Sequence, residues 1–221
     1  FRPHVIDMFE PQAHPDVFPY PGSAPTPPYD IAGWTLAYQM GIEFDRILDG
    51  FDGPFEAVTD WNVAPPKGAV GGANGARGFV LNARPNDSFI ALNRLLKANE
   101  EVYRATTPIT LGTATFPRGS FYVKGKATTR AQIEKIASDL GLSFAGTRAD
   151  VPKGALRMKT LRVGLWDQYG GSMPSGWTRF ILEQFEFPFE RVYAPQLDAG
   201  ALNAKYDVLV FVTGAIPGAG G

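Results

Sequence analysis

Cysteine is absent from the 221 residues. Disulfides, thiolate-bound zinc and a cysteine nucleophile are therefore excluded from this chain, while either redox compartment stays open to it. Histidine is scarce: only His4 and His14 occur, both in a proline-rich stretch. A zinc site takes about three N, O or S ligands. His4 has Asp7 three positions on, which is too little, so no metal site is expected. A Ser-His-Asp arrangement needs a histidine beside its serine, and no G-x-S-x-G elbow is present, so no catalytic residues are assigned. No apolar run approaches the ~20 residues that span a bilayer. The net charge is −1, without a basic tract, which argues against a nucleic-acid partner. No signal peptide is visible. The chain begins at Phe1 rather than methionine, so an upstream part is expected.

Hydrophobic residues make up 44% and charged residues 19%, which is the balance of a globular protein with a core. Three parts can be read. Residues 1–75 form an irregular, proline-rich arm and docking segment. Eight of the nineteen prolines precede Tyr29, so that stretch is expected to be extended and not helical. Its Phe1, Phe9, Phe18 and Tyr20 predict that it lies across a folded surface, since a free linker is poorer in aromatics. A short helix is read over Asp30–Met40, capped by Asp30 and stopped by Gly41. Strand-like pieces are read at Glu43–Leu48 and Glu56–Thr59. "PPKGAVGGANGARG" is read as a flexible joint.

Residues 76–150 read as strand Gly78–Asn82, a helix Ser88–Ala98 capped by Asp87, and strands Glu101–Thr106 and Ser120–Lys124. A second helix carries Ile133, Ile136, Ala137 and Leu140 at i, i+3, i+4, i+7 spacing, with Thr129 as cap and Gly141 as stop. Strand Leu142–Thr147 closes the series. The order β-α-β-β-α-β predicts a split βαβ, ferredoxin-like or similar α+β unit. That fold hosts many functions and names none.

Residues 156–221 alternate strand and helix: Leu161–Trp166, Ser175–Phe185, Phe189–Tyr193, a short helix Ala199–Lys205, then Asp207–Val212. This predicts the first half of a doubly wound parallel sheet, truncated after three strands. "DVLVFV" is apolar on both faces, as a central parallel strand is. The overall class is thus α/β.

The segment "LWDQYGGSMPSG", Leu165–Gly176, joins a strand to a helix. Glycine-rich loops in that position often hold phosphates, but this one is neither G-x-G-x-x-G nor a P-loop and lacks a lysine. A turn is the simpler reading, with Gly170-Gly171 taking positive φ and Ser175 capping the helix from Trp177. Ligand binding is kept as the alternative, at the carboxyl end of a strand where α/β folds place ligands. Asp167, Tyr169 and Ser172 are its candidate residues. The glycines from Gly71 to Gly75 follow no strand and fail the same test. Trp177, Phe180, Phe185, Phe187 and Phe189 are expected to pack in a core. The acids Glu100, Glu101, Glu183 and Glu186 are expected to be solvated.

Three segments, "PYPGSAPTPPYDIAGWTLAYQMGIEFDRI", "NDSFIALNRLLKANEEVYR" and "RVGLWDQYGGSMPSGWTRFILEQFEFPFERVY", resemble the carboxyl-terminal region of bacterial zinc carboxypeptidase-like proteins. In these a carboxypeptidase A-type domain comes first and a class I glutamine amidotransferase-like domain later. The run from Arg162 to "YDVLVFVTGAIP" is similar to the opening half of the latter. The family's H-x-x-E zinc motif does not occur here, nor does the amidotransferase cysteine. The resemblance therefore implies a non-catalytic accessory region of a secreted or periplasmic hydrolase active in proteolysis. Its partners would be the peptidase domain of the same polypeptide and a peptide substrate. The zinc cofactor would sit in that parent domain and none in this chain. The alternative is a peptide- or cell-wall-binding module using the crevice at the end of 161–166.

Overall fold

The computed structural model describes residues 2–11, 15–27, 35–60, 62–72 and 75–216. The chain divides into two compact units, Phe1–Val63 and Ala64–Gly221.

The first unit holds two helices, α1 (Arg2–Phe9) and α2 (Leu36–Gln39). Helix α1 corrects the expectation of a non-helical arm. Pro3 falls in its first turn, where a missing N–H costs no helical bond. The Asp30 cap lies outside the described residues, and Gly41 follows α2 at φ 65°. Glu43–Leu48 and Glu56–Thr59 form no strands, because no neighbouring strand is there to complete a ladder. Of the arm aromatics, Phe9 packs within this unit. Phe44 meets Phe9 edge-on at 5.1 Å and Tyr38 at 5.6 Å. The Thr35 hydroxyl donates to the Glu10 carbonyl. Phe18 and Tyr20 stay exposed.

The second unit begins with β1 (Val70–Gly71), β2 (Gly78–Leu81), α3 (Asp87–Lys97), β3 (Val102–Arg104), the hairpin β4 (Ile109–Leu111) and β5 (Ala114–Phe116), β6 (Phe121–Lys124), α4 (Thr129–Leu140), β7 (Phe144–Thr147) and β8 (Leu156–Arg157). Four of these strands lie in the order β7-β2-β6-β3, each antiparallel to its neighbour, with β1 and β8 at the two edges. This is the split βαβ arrangement expected from the element order. Alternation puts Phe79, Leu81, Val102, Phe121, Val123 and Phe144 on one face. There they form one core with Ala91, Leu92 and Leu95 of α3 and Ile133, Ile136 and Ala137 of α4. The stripe of α4 is buried as its spacing requires, and Gly141 ends the helix at φ 68°.

Several local expectations change. Helix α3 starts at Asp87, with Asn86 before it and no side-chain cap bond. Its first turn is held instead by Ser88 Oγ, which donates to the Asn82 carbonyl at 2.6 Å. Thr128, not Thr129, occupies the cap position of α4. The presumed joint is largely structured: β1 pairs in parallel with β7, and Gly68 N–H donates to the Ala137 carbonyl at 3.2 Å. Glycine is required there, since a Cβ at Gly68 would stand 2.0 Å from the Leu142 carbonyl oxygen.

The unit continues with β9 (Val163–Trp166), α5 (Met173–Gln184), β10 (Phe189–Val192), α6 (Ala194–Asp198), α7 (Leu202–Lys205) and β11 (Val208–Val210). The three strands are parallel, in the order β10-β9-β11. The chain steps from β9 to one side and then crosses to the other, the opening of a doubly wound sheet. The helix expected over 199–205 is shortened to α7, since Gly200 takes φ 70°, and an unexpected α6 precedes it. The central strand is β9, not β11. β11 is an edge, with Val208 and Phe211 exposed. An apolar run reports how much a strand could bury, not its place in the order.

Helix α3 is tied to the chain beyond α5. Arg94 makes a forked pair with Glu186, at 2.8 Å from Nη2 and 3.0 Å from Nε to the same oxygen. The Asn93 amide donates to the Phe185 carbonyl at 2.8 Å. Glu186 is exposed, as expected of a solvated acid, and its ion pair also links α3 to the chain after α5.

Candidate functional site

The loop after β9 is built from within. Asp167 Oδ1 accepts from the Gln168 N–H at 2.9 Å, and the Gln168 amide donates to the Gly171 carbonyl at 2.9 Å. Gly170 and Gly171 take φ of 87° and 89°, the positive-φ turn expected there. The helix cap is not Ser175. Ser172 has the extended cap conformation, and its Oγ accepts from the Ser175 N–H at 3.4 Å. Ser175 is buried and donates to the Trp166 carbonyl at 2.9 Å, fastening α5 to the end of β9. Helix numbering explains the swap: with Pro174 in the first turn, the cap falls before Met173. Of the three candidate ligand residues, then, Asp167 closes the turn and Ser172 caps the helix. Tyr169 lies exposed at the loop's tip, its ring stacked on Tyr193 at 4.8 Å and 13°.

The aromatic string also departs from expectation. Ser175, Thr178, Leu182 and Phe185 are the more buried positions of α5. Met173, Trp177, Phe180 and Ile181 form the opposite, outward stripe, with Trp177 65% and Phe180 48% exposed. Trp177 and Phe180 meet edge-on at 6.0 Å. Helical spacing shows that a stripe exists but not that anything covers it.

At the starts of β9 and β11, Arg162 and Asp207 lock the two strands together. Nη2 lies 3.0 Å from Oδ1 and Nε 3.2 Å from Oδ2, while the Arg162 N–H donates to Oδ2 at 2.9 Å. These bonds hold the Asp207 carboxyl well below the usual carboxylate range. A depressed folded pKa contributes stability above the ordinary aspartate value of ~3.9, and that contribution is lost as pH falls below it. Asp207→Asn is expected to lower the melting temperature at neutral pH and to flatten its decline below about pH 4. Parallel acid titrations of wild type and variant check this; matching curves would remove the pair from the account.

A concavity of about 770 Å³ lies where β2 and β3 end and β6 begins. Arg84 reaches it from the loop after β2, Arg104 from the end of β3, and Arg118 from the turn before β6. Phe89, Phe121 and Met158 give it apolar walls. Sequence reading found none of this, since positions 84, 104 and 118 carry no motif and meet only through the topology.

Among the described residues no group of three or more His, Asp or Glu comes together to hold a metal. His4 lies on α1, and His14 is outside the described residues. Among the described residues no helix is long and apolar enough to cross a membrane. Compared with protein family models, curated proteins and solved structures, the chain matches none of them.

Proposed function

We propose that this chain is a non-catalytic accessory region that packs on the peptidase domain of a zinc carboxypeptidase-like polypeptide. The observation that carries the reading is the outward stripe of α5. Met173, Trp177, Phe180 and Ile181 form a contiguous apolar face on an otherwise amphipathic helix. Such faces mark association surfaces, and tryptophan is among the commonest anchors of binding energy. The choice of partner rests on the sequence resemblance of the three quoted segments. Zinc belongs to that partner in this reading, and secretion or a periplasmic location follows from the same resemblance.

Mixed with a carboxypeptidase A-type domain of the resembling class, the chain should bind it. The double variant Trp177→Ala/Phe180→Ala should weaken that binding at least about tenfold, as loss of central aromatics does. Alone, the chain should release no C-terminal amino acids from peptides. Zinc-dependent release by the chain alone would overturn the proposal, as would binding indifferent to both substitutions.

A further inference from the structure

We propose that the cavity bordered by Arg104 and Arg118 is a binding site for a small organic oxyanion, a carboxylate or phosphate carried on an apolar or aromatic body. Independent features of the second unit converge on it. Arg104 stands on the core-facing side of β3, two residues after the buried Val102 and paired in register with Phe121. The alternation of the strand thus aims a guanidinium where its neighbours bury hydrocarbon. Beside it, Gly119 makes a left-handed turn at φ 96°. Its N–H donates to the Ala105 carbonyl at 2.9 Å. A Cβ on Gly119 would lie 3.7 Å from Arg104 Nη2, so the guanidinium rests over this turn, next to Arg118. Arg84 also lines the cavity, from the loop after β2, where its N–H donates to Asn82 Oδ1 at 3.0 Å.

Two of these charges, those of Arg104 and Arg118, face the cavity without a carboxylate beside them among the described residues. Arg77, Arg94, Arg130, Arg162 and Arg179 each stand within salt-bridge distance of a carboxylate. Among the described residues Arg104 and Arg118 do not, and no Asp or Glu lines the cavity. Guanidinium forks match the planar or tetrahedral oxygens of carboxylate and phosphate. The apolar half of the site is the exposed ring of Phe89, set edge-on to the buried Phe121 at 5.9 Å and 84°, together with Met158. A ligand that is charged at one end and apolar at the other satisfies both halves, as ligand sites commonly require.

The test is calorimetric titration of the whole chain with inorganic phosphate, phenyl phosphate and 3-phenylpropionate, at low salt. At least one organic anion should bind saturably below about 10 mM and at least about tenfold tighter than inorganic phosphate. Which of the two binds decides between phosphate and carboxylate. Arg104→Gln/Arg118→Gln should weaken that anion at least about tenfold, and Phe89→Ala should weaken the organic anion but not inorganic phosphate. Arg118→Gln alone, on an exposed turn, serves as the check if the double variant unfolds. Saturable binding that ignores the arginine substitutions would overturn the proposal. So would the absence of binding by either organic anion, or inorganic phosphate binding as tightly as both.

Discussion

Replacing Phe144 by alanine is expected to remove about 3–5 kcal/mol of stability, the range for a buried phenyl ring truncated in a packed core. Phe144 is 2% exposed and belongs to the cluster that joins the sheet to both helices. It lies in β7, which pairs with β2 on one side and β1 on the other. Its N–H also donates to the Ala69 carbonyl at 2.8 Å. A void here would therefore loosen both α4 packing and the edge strand. Urea denaturation measures the effect, and a loss under about 1 kcal/mol, nearer the size of surface changes, would show that the ring is not where the core needs it.

Thr129→Val is the second large effect, about 1.5–3 kcal/mol, the usual worth of a hydrogen bond to a charged group. Valine keeps the shape of threonine and deletes only the hydroxyl. That hydroxyl donates to Glu100 Oε2 at 2.5 Å and accepts from the Lys126 N–H at 3.0 Å. Thr128 donates to the other Glu100 oxygen at 2.7 Å, and the Lys126 ammonium stands 3.7 Å away. The Glu100 side chain has no exposed surface, which corrects its reading as a solvated acid. A buried carboxylate is tolerated only while its oxygens are satisfied. Glu100→Leu combined with Thr129→Val should cost less than the two single changes added together. Strict additivity would show that the contact carries no energy.

The legible parts of this chain were those with local grammar. Helix α4 was read because its stripe and its terminal glycine both lie within the helix. The sheet order followed from the sequence of element types. The β4–β5 hairpin was missed although its signal was present: Leu111 pairs with Ala114 across Gly112 and Thr113, a two-residue glycine-containing loop. Helix α1 is hidden in the proline content, because Pro3 in a first turn is compatible with a helix whereas proline further inside is not. On α5 the spacing was right and the inference from it wrong, since periodicity defines a face without naming what meets it. The arginine cavity and the Glu100 pocket were beyond local reading. Glu100 accepts hydrogen bonds from the start of a helix 28 and 29 residues later, and the three arginines converge only when β2, β3 and β6 lie side by side.

The docking of β1 also sets an order of events during synthesis. The Ala69 N–H donates to Ser143 Oγ across a separation of 74 residues, so this edge must wait until the start of β7 has left the ribosome. Contacts this distant form late, after the loop between them has closed. The waiting stretch around Gly68, Val70, Gly71 and Gly72 is short and rich in glycine, a poor template for pairing with other nascent chains. The segment that tethers the proline-rich unit is thus sealed to the sheet only once β7 has been made.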